Sequence, residues 1–136
     1  MIRVLVADDH PMIREIVREY LELFPEEFEV VAVASNGQQA VNLAAETDPD
    51  VMLMDVRMPI MDGIEATRIL KAQATRGLVI TYTSFLYGKV EELALQAGAV
   101  EHLLKPFDME ELRQKIKDVV ERVRVKESPA RYGVTA

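Results

Sequence analysis

The sequence predicts a single α/β domain: a central parallel sheet with helices on both faces. Three observations lead there. Short, almost continuous apolar runs such as IRVLVA and VMLM recur along the chain, as in strands buried on both sides. Between them, apolar residues fall at helical spacing with charges interleaved. The strand ends are polar, reading ADD, MD, YTS and LK. Ligands of open parallel sheets bind beyond the carboxyl ends of the strands, so this polarity marks a site.

The elements follow in order. Ile2–Ala7 is the first strand, ending at Asp8 and Asp9. Pro11 opens a helix, since proline suits the first helical position. Met12, Ile13, Ile16, Val17, Tyr20 and Leu21 give that helix an apolar face, and Pro25 stops it. Residues 29–34 form a second strand. Ser35 or Asn36 caps a helix running to about Glu46, and Asp48 and Pro49 break the chain. A third strand over 50–54, buried on both sides, ends at Asp55.

In the loop VRMPIMDG, Pro59 and Gly63 shape the turn and Asp62 caps a helix over Gly63–Ala72. Met52, Met54, Met58 and Met61 read as core and loop packing. Leu78–Thr83 is the fourth strand, followed by a helix over 87–96 that closes near Gly98. Residues 100–104 form the fifth strand, ending before Lys105. Pro106 breaks the chain, and Asp108 caps an amphipathic helix over 109–123 with Leu112, Ile116, Val119, Val120 and Val123 inward. The tail RVKESPARYGVTA loses this period and reads as a frayed end or the start of a linker. There is no internal repeat.

Composition narrows the function. At 136 residues and 49% apolar content, the chain supports one domain with a real core. A net charge of -7 disfavours direct nucleic-acid binding, which draws on Lys and Arg clusters. Without cysteine, thiolate chemistry and cysteine metal sites are excluded. No apolar run is long enough to span a membrane and no secretion signal is evident, so a cytoplasmic protein is expected.

The fold would gather Asp8, Asp9, Asp55, Thr83, Ser84 and Lys105 at one rim. Two adjacent carboxylates after a buried strand repel each other. One would suffice as a helix cap, so two suggest a cation nearby. Oxygen donors without cysteine favour a hard ion such as Mg²⁺, with Mn²⁺ as a substitute. Carboxylates, hydroxyls and one ammonium around such an ion are equipment for phosphoryl transfer. Aspartate can itself be the nucleophile, and Asp55, alone at the end of the most buried strand, is the candidate.

Together, VLVADDHP, VMLMDVRMPIMDG, VITYTS, QAGAVEHLLKPF and the final helix resemble the receiver domain of two-component response regulators, over residues 2–124. The resemblance implies a flavodoxin-like fold with five parallel strands in the order 2-1-3-4-5 and five helices, the receiver domain occupying 1–124 and a tail or linker 125–136. It implies Asp55 as phosphoacceptor, Asp9 as a direct Mg²⁺ ligand, Asp8 acting through a metal-bound water, and the carbonyl of Arg57 as a third protein ligand. Thr83 matches the switch hydroxyl, and Lys105, before a cis proline at Pro106, the phosphoryl-binding lysine. His10 is expected not to be a ligand.

Two positions depart from the commonest pattern. His102 stands where a Tyr or Phe switch ring is usual, read here as a tolerated solvent-facing residue whose alternative is a pH-sensitive switch. Ser84 replaces a small Ala or Gly, its N–H still available to a phosphoryl oxygen. Arg57 and Phe85 fall where the family tunes phosphoryl lifetime.

The implied partners are a sensor histidine kinase or phosphotransfer protein, a second copy through the face of the fourth helix, fifth strand and fifth helix, and a DNA-binding output domain outside the chain. ADDHP resembles receivers of helix-turn-helix transcription regulators. The alternatives are a stand-alone receiver that binds a partner protein and a phosphorylation-independent interaction module. Self-phosphorylation and autodephosphorylation are expected, but no dedicated metabolic activity. A phosphatase- or mutase-like hydrolase is disfavoured because Arg57 stands where such enzymes often carry a second acid.

Overall fold

The computed structural model describes residues 1–84 and 89–127. Five strands alternate with five helices: β1 (Ile2–Ala7), α1 (Pro11–Glu22), β2 (Phe28–Ala34), α2 (Gly37–Thr47), β3 (Val51–Asp55), α3 (Gly63–Ala72), β4 (Leu78–Thr83), α4 (Val90–Ala97), β5 (Glu101–Leu104) and α5 (Met109–Glu127). All strand pairs are parallel, in the order β2-β1-β3-β4-β5. The chain steps outward from β1 to β2, then crosses to β3 on the other side. β1 and β3 therefore flank the reversal of strand order, where such sheets bind ligands.

The sheet separates two cores. Val4, Val6, Leu53 and Ile80 face Val17 and Leu21 of α1 and Leu112, Ile116, Val119 and Val120 of α5. Leu5, Ala7, Met52, Met54 and Val79 face the small-residue surfaces of α2, α3 and α4, among them Ala40, Ala44, Ala66 and Ala94. Every residue of β3 is buried, as a central strand covered on both faces requires.

The caps explain most boundaries. Asn36, rather than Ser35, caps α2 by accepting the Gln39 N–H at 2.8 Å. Asp62 accepts the Glu65 N–H, and Asp108 the Glu111 N–H. Gly98 closes α4 at φ +123°, a conformation that favours glycine.

Some boundaries differ from the sequence reading. β2 begins at Phe28, whose ring is buried against the α1/α5 core. β3 is shifted by one residue and takes in Asp55 itself, which pairs with Tyr82. α5 runs on to Glu127, beyond the expected end at Val123. α4 begins at Val90, whereas the expected start at residue 87 lies outside the described residues, as do Phe85 and the end of the tail from residue 128.

Candidate functional site: an acidic cleft at the strand ends

The ends of β1, β3, β4 and β5 open into one cleft of about 700 Å³, lined by Asp9, Asp55, Arg57, Thr83, Ser84 and Lys105 among others. The sequence-derived rim is thus brought together, with Asp8 buried just beneath it. Asp55 and Thr83 are almost fully buried, at 3% and 1% exposure. The backbone behind Asp55 is fixed on both sides: the Val56 N–H donates to the Tyr82 carbonyl at 3.0 Å, and the Gly63 N–H donates to the Val56 carbonyl at 2.8 Å.

Asp8 is the anchored acid. Its Oδ1 accepts from the His10 N–H at 2.9 Å, and the His10 ring nitrogen lies at the same distance. Its Oδ2 accepts the Tyr82 hydroxyl at 2.8 Å and lies 3.6 Å from Lys105 Nζ. Burial alone would push this carboxyl up, but the His10 N–H, the Tyr82 hydroxyl, the His10 ring and the Lys105 ammonium together hold it below its ordinary value. Neither Asp8 nor Asp9 makes a side-chain cap for α1: its N-cap residue is His10, with no side-chain bond.

Asp55 has the opposite electrostatics. Burial, then the neighbouring Asp8 charge, pushes its carboxyl up to about 7, against Lys105 and a long 3.4 Å bond from the Arg57 N–H. A buried acid beside a fixed anion binds either a proton or a cation more readily than an exposed one. Asp8, Asp9, His10 and Asp55 each offer one ligand atom, all within 4.8 Å of one another. This donor set, dominated by carboxylate oxygens, suits a hard divalent cation.

Two contributors were not legible as such. In the sequence Tyr82 reads only as part of a strand. Its ring packs edge-on against Phe107 at 5.8 Å and lies 4.9 Å from Lys105 Nζ, while its hydroxyl reaches Asp8. It therefore positions an acid and the lysine at once. The signal was a single aromatic in the strand LVITYT, but its use depends on the register that sets Tyr82 opposite Asp55. His10, expected not to be a ligand, has its ring nitrogen against both Asp8 and Asp9.

His102 corrects the solvent-facing reading. It is only 7% exposed, and its Nδ1 pairs with Thr81 Oγ1 at 2.8 Å. Its Nε2 is buried with no hydrogen-bond partner. Burial lowers its pKa, partly opposed by Glu91. Ser84 is exposed at the cleft mouth. The Lys105–Pro106 peptide is cis.

Comparison with known proteins assigns the class. The family described as the response regulator receiver domain matches residues 4–117, and the chain belongs to it: it is a receiver domain of phosphorylation-based two-component signalling. The transcriptional regulatory protein LiaR of Bacillus subtilis is 41% identical over 86% of this chain, which spans 55% of LiaR. The chemotaxis protein CheY of Halobacterium salinarum is 40% identical over 87% of the chain, which spans 96% of CheY. The signal receiver domain of the response regulator NarL from Mycobacterium tuberculosis superposes with a TM-score of 0.84 at 33% identity, covering 88% of this chain and 96% of that one. Among the described residues no helix is long and apolar enough to cross a membrane.

Proposed function

We propose that this receiver accepts a phosphoryl group on Asp55 from a phosphohistidine of a sensor histidine kinase or phosphotransfer protein, or from a small donor such as acetyl phosphate. The reading is carried by the near-complete burial of Asp55 in a cleft shared with Asp9, Thr83 and Lys105, above Asp8. An Asp55 carboxylate oxygen attacks phosphorus as the bond to the donor's nitrogen or oxygen breaks. Mg²⁺, or Mn²⁺ in its place, would be held by Asp9, Asp55, the Arg57 carbonyl and, through water, Asp8, and when bound supplies positive charge to the carboxylates and phosphoryl oxygens. Lys105, the Thr83 hydroxyl and the Ser84 N–H stabilise the remaining negative charge. Water later hydrolyses the acyl phosphate, with Arg57 and Phe85 tuning its lifetime.

The output is a population shift of the face formed by α4, β5 and α5, biased by Thr83 moving to the phosphoryl group. Leu93, Leu95 and Leu104 stand exposed on these elements, which supports their use for a homodimer or an output domain. The domain occupies 1–124, with 125–136 as a tail or linker, and works in the cytoplasm. Transcription regulation through a DNA-binding domain outside the chain is the favoured output, supported by the likeness to LiaR. The second reading, a stand-alone receiver acting on a partner protein, is supported by the near-full coverage of CheY.

Intact mass after acetyl phosphate with Mg²⁺ tests the acceptor. A gain of about 80 Da, one phosphoryl group, is expected, and is lost in Asp55→Asn and with EDTA. No gain from either acetyl phosphate or a histidine kinase donor overturns it.

A further inference from the structure

Lys105 stops short of Asp8. Its Nζ lies 3.6 Å from Asp8 Oδ2, while the Tyr82 hydroxyl donates to the same oxygen at 2.8 Å. At 3.6 Å the lysine and the carboxylate attract each other without a hydrogen bond. An ammonium that closes on a carboxylate comes about 0.8 Å nearer, to about 2.8 Å. A fully buried carboxylate beside a lysine with three donors has every electrostatic reason to close that gap. Here it has no need to. Oδ1 is served by the His10 N–H and Oδ2 by the tyrosine, so the anion is satisfied by uncharged donors.

The ring of Tyr82 supports the lysine as well. Its centroid is 4.9 Å from Nζ, within cation–π range. It packs edge-on against Phe107, two residues beyond Lys105. The Lys105 N–H donates to the Thr83 carbonyl at 2.9 Å, which ties the lysine's backbone to the residue after Tyr82. Tyr82 is 2% exposed and pairs with Asp55 across the β3–β4 ladder, so close packing holds both ring and hydroxyl in place. The core at this position needs only apolar bulk. The hydroxyl reaches Asp8 and, at 3.3 Å, the Ala7 carbonyl.

We propose that Tyr82 is a positioning residue for phosphoryl transfer: its hydroxyl fills Asp8 Oδ2 and its ring carries the Lys105 ammonium, so that the lysine stays available to a phosphoryl oxygen instead of closing onto Asp8. The inference rests on the phosphoryl-binding role of Lys105 in the proposed function and adds what keeps that lysine available. Tyr82→Phe keeps the ring and its packing on Phe107 but leaves a buried anionic oxygen short of a donor. Lys105 is the nearby cation that can supply one, and in doing so it retracts to the floor of the cleft.

Two measurements test this. The first is the rate of Asp55 phosphorylation by acetyl phosphate with Mg²⁺ in the native chain, Tyr82→Phe, Lys105→Ala and the double variant. Tyr82→Phe is expected to lower kcat/KM by about 10- to 100-fold, the scale of loss for a misplacement near 1 Å. In the Lys105→Ala background the same change should cost less than about twofold, because the group it positions is gone. An equal loss in both backgrounds, or no loss in either, overturns the role, since a merely structural defect does not depend on the lysine. The second measurement follows the side-chain ammonium resonance of Lys105 in metal-free protein labelled with ¹⁵N-lysine, assigned by its disappearance in Lys105→Ala. Its protons should exchange rapidly in the native chain and slow at least about fivefold in Tyr82→Phe as the ion pair closes. Slow exchange already in the native chain overturns the proposal without recourse to any Tyr82 variant. If no donor phosphorylates the native chain, the phosphoacceptor reading falls, while the ammonium resonance still decides whether Tyr82 keeps Lys105 off Asp8.

Discussion

Asp55 and Asp8 sit side by side, yet their carboxyls shift in opposite directions, because Tyr82, His10 and Lys105 serve Asp8 and little serves Asp55. A raised carboxyl pKa means the folded state holds the proton more tightly, so stability is full below about pH 4 and falls as the pH rises towards 7. In metal-free protein Asp55→Asn should therefore be more stable than the native chain by roughly 2 to 4 kcal/mol above pH 7, with the gap closing at pH 4. Thermal melts with EDTA at the two pH values check this, and an equal gap at both would count against it. Tyr82→Phe removes a donor from a buried, charged oxygen of Asp8 and should cost about 1 to 3 kcal/mol in urea unfolding. The sequence disclosed the acids, the threonine and the lysine because polar residues at the ends of apolar runs are conspicuous. It did not disclose Tyr82 as a support, because tyrosine is ordinary in strands and its contact with Asp8 spans 74 positions of chain.

At the scale of elements, the junction of β3 and α3 is the tightest. A side chain at Gly63 would put its Cβ 2.1 Å from the Asp55 carbonyl oxygen. Gly63→Ala is thus expected to destabilise by about 3 kcal/mol or more, measured by urea unfolding, since backbone cannot yield as a flexible side chain can. Between β4 and β5 the Thr81–His102 pair makes a buried polar link. A double-mutant cycle with Thr81→Val and His102→Phe should return a coupling of about 1 kcal/mol. The lowered pKa of His102 carries a sign: its contribution is full above pH 6.5 and is lost as the pH falls. Acidification should accordingly destabilise the native chain more than His102→Phe, read from melts at pH 5.5 and 7.5. Strands and helices were legible because parallel strands are near-continuous apolar runs and three of the helices open on capping residues, Asn36, Asp62 and Asp108. The burial of His102 was not, because a lone polar residue in a short edge strand gives no sign of which neighbour covers it.

The whole molecule carries its acids where a cation can link folding to binding. An ion that binds only the folded state at 100 times its dissociation constant adds about 2.7 kcal/mol, or about 10 °C in a domain of this size. Saturating Mg²⁺ should raise the melting temperature by that order, and Asp9→Asn should remove most of the rise. A melting temperature indifferent to Mg²⁺ would argue against ion binding at the cluster. The alternation of strands and helices was legible at this scale from apolar periodicity, whereas the strand order β2-β1-β3-β4-β5 was expected from the resemblance to receivers, because pairing between distant strands leaves no local signal.

The cleft is also divided along the chain. Asp8, Asp9 and Asp55 come before the turn at residues 73–77, while Thr83 and Lys105 come after it. Cutting the chain at that turn would leave three carboxylates on one piece and the hydroxyl and ammonium on the other. The pieces could rebuild the site only by re-forming the β3–β4 pairing from Val51↔Leu78 to Asp55↔Tyr82. Fused to two other proteins, they would form a split reporter in which phosphorylation is the readout of association.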